Sequence, residues 1–236
     1  MPPTTVLTSI SFFCPAYNDE KNLPDLIPVV VDFLTKHSEK FEIVIIEDGS
    51  PDKTGEVADE LAKKFPNIRV VHHAKNMGYT ATLKEGFETA TYDYVMYTDG
   101  DNQYDVFDAA PYLPLLNDAD VIAGYAIKKA VSPYRKFQSG IYNFLIKILF
   151  FVNYEDVNCS VKIFKKHVLD AIKIKSSPYG AFIDAELVLK AKNQGFTIKQ
   201  FPVTHYERKS GIASGTKPPL IWSTFKDMLK LRLNIL

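Results

Sequence analysis

The 236-residue chain has few cysteines, no excess of either charge and no long hydrophobic run. Its two cysteines, Cys14 and Cys159, do not supply a disulfide framework, so we expect both to be reduced and the protein to be cytoplasmic. Its 28 basic residues balance 28 acidic ones, which argues against a nucleic-acid partner. The N-terminus also lacks the basic and apolar regions of a signal peptide.

The longest apolar stretch, Ile141 to Val152, is too short for the roughly 20 residues that a membrane span needs. It predicts either a core helix or a helix lying in a membrane interface. In the second case the side chains facing lipid would be Phe144, Leu145, Ile148, Leu149 and Phe151. A basic helix predicted from Leu220 to Leu236 has the same alternatives, and we also consider a homodimer or a membrane subunit as partner.

Nucleotide-binding fingerprints are missing as well. Gly211 to Lys217 lacks the Gly-x₄-Gly-Lys spacing of a P-loop, and no dinucleotide fingerprint is present. There is no repeat, low-complexity tract or linker-like segment, so we expect a single domain over residues 1–236.

In the first half, strand and helix signals alternate. The predicted strands are Ile10 to Cys14, Glu42 to Ile46, Ile68 to Val71, Tyr94 to Thr98 and Ala119 to Gly124. Helical periodicity follows each of the first three. This alternation predicts an α/β fold with a central, mostly parallel sheet flanked by helices. The second half predicts helices over 132–152 and 181–194, strands over 161–164 and 196–205, and a mobile loop over 208–219.

Two carboxylates one residue apart, Asp99 and Asp101, directly follow the predicted strand at Tyr94. Two hard oxygen ligands at this spacing suit Mg²⁺ or Mn²⁺, which in turn binds phosphate oxygens. Gly100 between them permits close approach of a ligand. An ordinary acidic turn is the alternative, because Asp-Gly is also a common turn dipeptide.

Polar residues follow the other strands too, and in open α/β sheets ligands bind at the carboxyl ends of strands. Tyr17 can stack on a base, and Asp48 can accept hydrogen bonds from a ribose or a base. Asn76 and Gly78 can bring backbone close to a diphosphate. Each segment alone also fits a helix cap, such as Ser50 or Asp52 before the helix at Thr54.

Together these segments resemble the family 2 glycosyltransferases with the GT-A fold. They look most like the branch that contains dolichyl-phosphate mannosyltransferase and related polyprenyl-phosphate sugar transferases. The resemblance covers nearly the whole chain, through PAYNDEKNL, EDGSPDKT, NMGYTATLKEGFETA, TDGDNQY, FIDAELVLKAKNQGF and VTHYERKSG. It implies a Rossmann-like domain whose residues 8–125 bind a nucleotide sugar and whose residues 126–236 bind the acceptor.

The resemblance also implies an activity, namely metal-dependent, inverting transfer of a sugar from a GDP- or UDP-sugar to an acceptor. A polyprenyl or dolichyl phosphate is the leading acceptor and a glycan hydroxyl the alternative. By the same resemblance Asp99 and Asp101 hold Mg²⁺ or Mn²⁺, and Arg208, aided by Lys217, closes over the diphosphate. The implied nucleotide pocket is Pro15, Ala16, Tyr17, Asn18, Asp19, Glu20, Glu47, Asp48, Asn76, Gly78, Asp99, Gly100, Asp101, Gln103, Arg208 and Lys217.

Acceptor binding falls to Arg135 and Ser139, which match a phosphate-receiving pair, although a solvated helix face also accounts for them. A phosphate acceptor is already an anion and needs no strong base. A hydroxyl acceptor does, and the candidate bases are Asp184 and Glu186. Their alternative role is to complement the dipole of a helix N-terminus.

Departures from the family pattern fall mostly where sugar or acceptor would bind. Ala126 stands where relatives often have Arg, and Lys128 or Lys129 is the candidate to compensate for the missing charge. The run from Asp156 to Lys162 also differs from its usual form. We therefore keep an inactive nucleotide-sugar-binding subunit as one alternative. A nucleotidyltransferase is another, although the Gly-rich signature of that class is missing after the first strand.

Overall fold

The computed structural model describes residues 5–178, 180–208 and 218–233, and its centre is a seven-stranded sheet. The strands are β1 (Leu7–Ala16), β2 (Ser38–Glu47), β3 (Ile68–His72), β4 (Tyr94–Tyr97), β5 (Val121–Ala126), β6 (Lys162–Lys165) and β7 (Ile198–Val203). Their order is β3-β2-β1-β4-β6-β5-β7, and every pairing in the sheet is parallel except the two that β6 makes. The predicted α/β class with a mostly parallel sheet is confirmed.

Helices cover both faces of this sheet. They are α1 (Leu23–His37), α2 (Thr54–Lys64), α3 (Tyr79–Thr89), α4 (Pro133–Phe150), α5 (Lys166–Ala171), α6 (Ile183–Asn193) and α7 (Pro218–Arg232). Along β1, Phe12 and Cys14 point into the core under α1 and α2, whereas Phe13 points into the core under α3 and α6. This alternation follows from the two-residue period of a strand, and it makes the central strands apolar on both sides.

A third, smaller core joins the second half of the chain. Ile146 of α4, Phe182 and Leu189 next to and on α6, and Met228 of α7 are buried there. The segment predicted as an apolar helix therefore packs one side inward. The same helix leaves Phe144, Ile148 and Phe151 exposed, so it is a core helix on one face only.

Two elements lie outside the sequence prediction. Val106–Asn117 forms a 3₁₀ segment, whose two prolines, Pro111 and Pro114, hide any helical period, and α5 was not expected. Most of the predicted loop 208–219, including Gly211 and Lys217, lies outside the described residues. The number of domains stays a prediction. No helix within the described ranges is long and apolar enough to cross a bilayer.

Candidate active site

The carboxyl ends of β1, β2 and β4 meet at one edge of the sheet, here called the donor edge (Pro15–Asp19, Glu47–Gly49 and Asp99–Gln103). Gly100 N–H donates to the carbonyl of Pro15 over 3.2 Å, and Asp48 N–H donates to the carbonyl of Ala16 over 3.0 Å. A Cβ at Gly100 would lie 2.6 Å from that Pro15 oxygen and 3.2 Å from the carboxylate of Asp19. The glycine between the two aspartates is therefore needed for contact with the end of β1.

Asp19 is a buried anchor of this edge. Its carboxylate accepts hydrogen bonds from Tyr17 N–H (3.0 Å) and from the Asn22 amide (2.7 Å), while its own N–H donates to Thr54 Oγ1 (2.8 Å). Burial raises the pKa of Asp19, although these hydrogen bonds oppose the shift. The ring of Tyr17 is exposed and free to stack, and Asn18 adopts a left-handed conformation that turns the chain.

Asp99 lies beside a tyrosine and a serine that sequence reasoning did not single out. Tyr79 Oη donates to Asp99 Oδ1 over 3.0 Å, and Asp99 N–H donates to Ser160 Oγ over 3.2 Å. Desolvation raises the pKa of Asp99 to about 7, and the charges of Asp101 and Asp184 add to the shift. A carboxylate held at this cost gains from any cation placed beside it.

Asp101 forms an ion pair with Arg208, which reaches it from the chain after β7. A two-way bridge brings the segments together: Tyr206 N–H donates to the Gln103 carbonyl (2.8 Å), and the Gln103 amide donates to the Tyr206 carbonyl (3.0 Å). Burial raises the pKa of Asp101, and the Arg208 guanidinium partly offsets that shift. Gln103 therefore positions Arg208.

The carboxylates of Asp99 and Asp101 fit a divalent cation whose remaining ligands would be oxygens of a bound diphosphate. Within the described residues no group of three or more His, Cys, Asp or Glu side chains is arranged to hold a metal ion. Mg²⁺ typically takes one or two carboxylates and completes its shell with phosphate oxygens and water. Burial disfavours the charged forms of both carboxylates, and a cation bound between them would offset that cost.

Asp48 holds the loop between β3 and α3. Its Oδ1 accepts from Met77 N–H (2.7 Å), its Oδ2 accepts from Gly78 N–H (3.0 Å), and His73 Nδ1 lies 2.6 Å from Oδ1. Each carboxylate oxygen has two lone-pair directions, so these contacts leave little capacity for a base or ribose. The structure thus shows a loop-fixing role for Asp48 that the sequence did not reveal.

Glu47 and Glu20 likewise contact backbone. Glu47 accepts from Ser50 N–H at 2.5 Å, and Glu20 accepts from Lys53 N–H at 3.1 Å. Gly49 has a φ of +63°, and a Cβ there would lie 2.5–2.7 Å from backbone atoms of Lys75 and Asn76. At Gly49 the turn after β2 therefore lies directly against the backbone of the loop after β3, and together with Asp48 this contact places Asn76 and Gly78 at the donor edge.

Beneath the donor edge lies a buried ion pair. Lys162 Nζ is 2.6 Å from Asp184 Oδ1, and the Lys162 side chain is 0% exposed. Tyr97 Oη also donates to Asp184, and Tyr79 Oη lies 3.3 Å from its other oxygen. Asp184 is thus bonded through both oxygens, and Tyr79 connects it to Asp99. Sequence reasoning missed this pair, and the signal available for it is a lysine among the apolar residues of the strand predicted over 161–164.

Glu186 is not brought to the acidic pair by any of its contacts. Its carboxylate accepts from Lys175 N–H (2.8 Å) and Ser176 N–H (2.9 Å), and Lys190 Nζ lies 2.6 Å away. The side chain is fully buried. Glu186 therefore fixes the segment before α6. Its carboxylate oxygens bind these partners and not a group of the donor edge.

The predicted acceptor residues Arg135 and Ser139 lie in the first two turns of α4. The Arg135 charge helps to lower the pKa of Asp101, so the two groups are neighbours. Ser139 Oγ accepts from Lys129 Nζ over 2.5 Å, and Lys129 also pairs with Asp156 at 2.9 Å. Lys129 therefore occupies the region where the sequence departs from its relatives. Lys217 lies outside the described residues.

Residues 11–173 match the family model described as "Glycosyl transferase family 2". The chain is 30% identical over 208 residues to the dolichyl-phosphate beta-glucosyltransferase ALG5A of Trichomonas vaginalis, which covers 82% of this chain and 64% of that protein. It is 26% identical over 208 residues to the dodecaprenyl-phosphate galacturonate synthase of Rhizobium johnstonii, covering 86% of this chain and 61% of that protein. The chain thus spans less than two thirds of either relative.

The fold also resembles a solved structure. Glucosyl-3-phosphoglycerate synthase from Mycobacterium tuberculosis, crystallised with Mn²⁺, uridine diphosphate and glucosyl-3-phosphoglycerate, aligns with a TM-score of 0.72 at 16% identity. The alignment covers 97% of this chain and 81% of that one. At this identity the likeness concerns the fold, and it supports the GT-A architecture expected from the sequence.

Proposed function

This chain belongs to glycosyl transferase family 2, and from that premise we propose that it moves a sugar from a nucleotide-diphosphate sugar to a polyprenyl phosphate. The main support for this proposal is that Asp99, Asp101 and Arg208 lie together at the donor edge. Two carboxylates and a guanidinium together suit a metal-bound diphosphate. The family match favours transfer of a sugar over transfer of a nucleotide.

In this proposal the nucleotide sugar binds along the donor edge, whose loops are already held in place by hydrogen bonds. Tyr17 offers an exposed ring for the base, and the loop that Asp48 fixes offers backbone near the diphosphate. Asp99 and Asp101 would hold Mg²⁺ or Mn²⁺, which supplies positive charge to the diphosphate leaving group. Arg208 adds a second positive charge from the opposite segment.

The transfer itself breaks one bond and forms one. The bond between the anomeric carbon and the diphosphate oxygen breaks with its electron pair passing to the nucleoside diphosphate. An oxygen of the acceptor phosphate attacks the anomeric carbon from the opposite face, so the configuration is inverted. The products are a nucleoside diphosphate and a polyprenyl-phosphate sugar, and no proton needs to be removed from a phosphate acceptor.

Both candidate bases, Asp184 and Glu186, are engaged by other groups, which favours a phosphate acceptor over a hydroxyl acceptor. Asp184 is neutralised by Lys162 and bonded through both oxygens, and Glu186 is committed to the backbone at Lys175 and Ser176. Arg135 and Lys129 provide positive charge on the acceptor side. The names of both sequence relatives contain a polyprenyl phosphate, dolichyl or dodecaprenyl, which agrees with this choice.

The donor is tested by thermal shift with GDP, UDP, CDP and dTDP and their common sugar conjugates, each with and without Mn²⁺. A ligand that binds the folded state raises the melting temperature by mass action. We expect one nucleotide to raise it only when metal is present. If no nucleotide shifts the melting temperature, the donor site and the proposed reaction both fail.

The acceptor is tested by transfer from the donor so identified to a short-chain polyprenyl phosphate, with a short-chain alcohol and a soluble glycan as comparisons. Asp99→Asn should lower kcat/KM by about 100-fold or more, the usual cost of removing one group that stabilises the charge of a transition state. Its fold should persist, because the substitution removes a carboxylate whose charge is opposed by desolvation. Asp32→Asn, on the exposed side of α1, is the matched control. Full activity of Asp99→Asn would contradict the proposed metal site. Transfer to the glycan alone would contradict the proposed polyprenyl-phosphate acceptor.

A further inference from the structure

Three neighbouring carboxylates near the end of β4 differ in how their charge is compensated. Asp101 pairs with Arg208, and Asp184 pairs with Lys162 at 2.6 Å. Besides desolvation, the charges of Asp101 and Asp184 raise the pKa of Asp99, so the three groups lie close together. Among the described residues, no lysine or arginine forms an ion pair with Asp99. The positive charge that this cluster lacks is therefore missing at Asp99.

Tyr79 donates a hydrogen bond to this uncompensated carboxylate. Its Oη lies 3.0 Å from Asp99 Oδ1 and 3.3 Å from Asp184 Oδ2. A neutral phenol has a single proton to donate, so it serves one of the two carboxylates at a time. Asp184 already has Lys162 and Tyr97 as donors. The proton of Tyr79 therefore belongs to Asp99, which is also the nearer of the two.

The chain around Tyr79 fixes the place of this hydroxyl. Tyr79 is the first residue of α3 and directly follows Gly78, whose N–H donates to Asp48 over 3.0 Å. The next residue, Thr80, donates through Oγ1 to a backbone carbonyl in the segment before α6 over 3.1 Å. The ring of Tyr79 packs against the core under α3 and α6. Tyr79 is therefore a fixed donor, and it restricts the Asp99 carboxylate rather than following it.

We propose that Tyr79 is a positioning residue that holds the Asp99 carboxylate in the orientation in which it binds a divalent cation. The inference rests on the proposed function, in which Asp99 and Asp101 hold Mg²⁺ or Mn²⁺. A carboxylate that is already oriented by a hydrogen bond binds metal more tightly than one that is free to turn. The bond at Oδ1 leaves further lone pairs of the carboxylate for the cation. Because Tyr79 follows the loop that Asp48 fixes, it also links the proposed diphosphate loop to the metal ligands.

The competing role for Tyr79 is to stabilise the buried pair of Lys162 and Asp184. Tyr97 separates the two roles, because it is a second phenol in the same network. Its hydroxyl is bonded to Asp184 and lies 3.1 Å from Lys162 Nζ, whereas the hydroxyl of Tyr79 reaches Asp99 as well. Tyr97→Phe therefore removes a donor from the buried pair alone, and Tyr79→Phe also removes the donor to Asp99.

The test is a titration of Mn²⁺ followed by melting temperature, with GDP, UDP, CDP or dTDP present and the nucleotide that shifts the wild type used throughout. Tyr79→Phe should raise the Mn²⁺ concentration that gives half of the shift by about tenfold or more, the usual effect of removing a group that orients a metal ligand. Its melting temperature without ligand should stay close to that of the wild type, because the ring is retained. Tyr97→Phe is the matched control and should leave the Mn²⁺ concentration unchanged, even where it lowers the melting temperature itself.

The transfer reaction gives a second measurement. At low Mn²⁺ the Tyr79→Phe variant should turn over more slowly than the wild type, and saturating Mn²⁺ should restore most of its kcat. Asp99→Asn should not recover, because that substitution removes the metal ligand itself. A defect of Tyr79→Phe that persists at saturating Mn²⁺ would overturn the positioning role.

Two results of the titration would also overturn it. One is an unchanged Mn²⁺ requirement in Tyr79→Phe while the wild type shows a metal-dependent shift, in which case the proposed function stands without this role. The other is an equal rise in Tyr97→Phe, which would assign the effect to the pair of Lys162 and Asp184. If the wild type shows no metal-dependent shift, the proposed function fails and the role of Tyr79 fails with it.

Discussion

Around Asp99, polar side chains are buried and each is bonded to a distant part of the chain, whereas along α4 large apolar side chains stand in solvent. Lys162 and Asp184 form a buried pair beneath the donor edge, and Tyr79 connects it to Asp99. Phe137 and Phe144 represent the opposite case, at 67% and 60% exposed. Each region departs from the usual rule of apolar side chains inside and charged ones outside, in opposite directions.

These departures have different energetic consequences. Burying a charge costs free energy unless it is paired and hydrogen-bonded, so the donor edge depends on every partner being present. Exposing an apolar side chain forgoes only the free energy of its burial, so the isolated protein should tolerate substitution of the exposed apolar residues of α4. The comparison predicts that a substitution that leaves a buried charge near the donor edge unpaired destabilises the fold, whereas substitutions of exposed apolar residues on α4 do not.

The largest test removes the buried cation. Lys162→Met should lower the free energy of unfolding by about 3–5 kcal/mol, because it leaves Asp184 buried without its counter-charge. For a chain of this size that is a fall of roughly 6–20 °C in melting temperature. The control is Lys36→Met, which breaks a pair whose side chains are 57% and 53% exposed, and it should cost less than about 1 kcal/mol.

The double variant Lys162→Met/Asp184→Asn sharpens this result. Without the carboxylate there is no unpaired charge, so part of the stability lost in Lys162→Met should return. If the single variant melts within a degree of the wild type, the buried pair is not what holds the donor edge, and the contrast with α4 fails.

The second test compares two glycines, one from each region. Gly49→Ala should cost roughly 1–3 kcal/mol, since it forces a left-handed backbone on a residue with a Cβ. It should also weaken nucleotide binding, because the added carbon would meet the Lys75–Asn76 backbone at 2.5–2.7 Å. Gly140→Ala on α4 meets nothing within 4 Å and should stabilise the protein by about 0.5–1 kcal/mol through helix propensity. Chemical denaturation measures both, and equal effects would remove the distinction.

How much of this was available from the sequence also differs between the regions. The strands could be predicted because runs such as Ile43 to Ile46 are apolar on both faces, and the polar residues directly after them indicated the donor edge. The partners of Asp48 could not, because they are backbone N–H groups of Met77 and Gly78 that become neighbours only through the fold of a loop. The sequence therefore predicts that Asp48 lies at the site but not what its oxygens bind.

The faces of α4 were ambiguous for a related reason. The run from Ile141 to Val152 is apolar on nearly every side, so its periodicity does not distinguish the packed face from the exposed one. Of the residues expected to face lipid, Leu145 and Leu149 pack against the small core, whereas Phe144, Ile148 and Phe151 remain exposed. Tertiary packing with α7, far along the chain, decides which side is covered.

The smallest test concerns a single protonation behind the donor edge. His73 lies between Asp48 and Glu85, 2.6 and 3.0 Å from their carboxylates. Desolvation lowers the pKa of His73, but the hydrogen bonds and charges of the two acids outweigh it and leave the pKa raised. Protonated His73 donates to both acids and so supports the Asp48 carboxylate that fixes the loop at Gly78.

The sign of the pH effect follows from this shift. A raised pKa in the folded state means that His73 contributes its full stabilisation below the unfolded value, about 6.5, and loses it as the pH rises through the folded pKa. His73→Gln should therefore lower stability most at pH 5.5, by on the order of 1–2 kcal/mol, and least at pH 9. His72 titrates in the same range, but it is present in both proteins and cancels in their difference. A difference that grows with pH would show that the neutral imidazole, rather than the charged one, holds Asp48, and the donor edge would then owe less to ion pairing than its contacts imply.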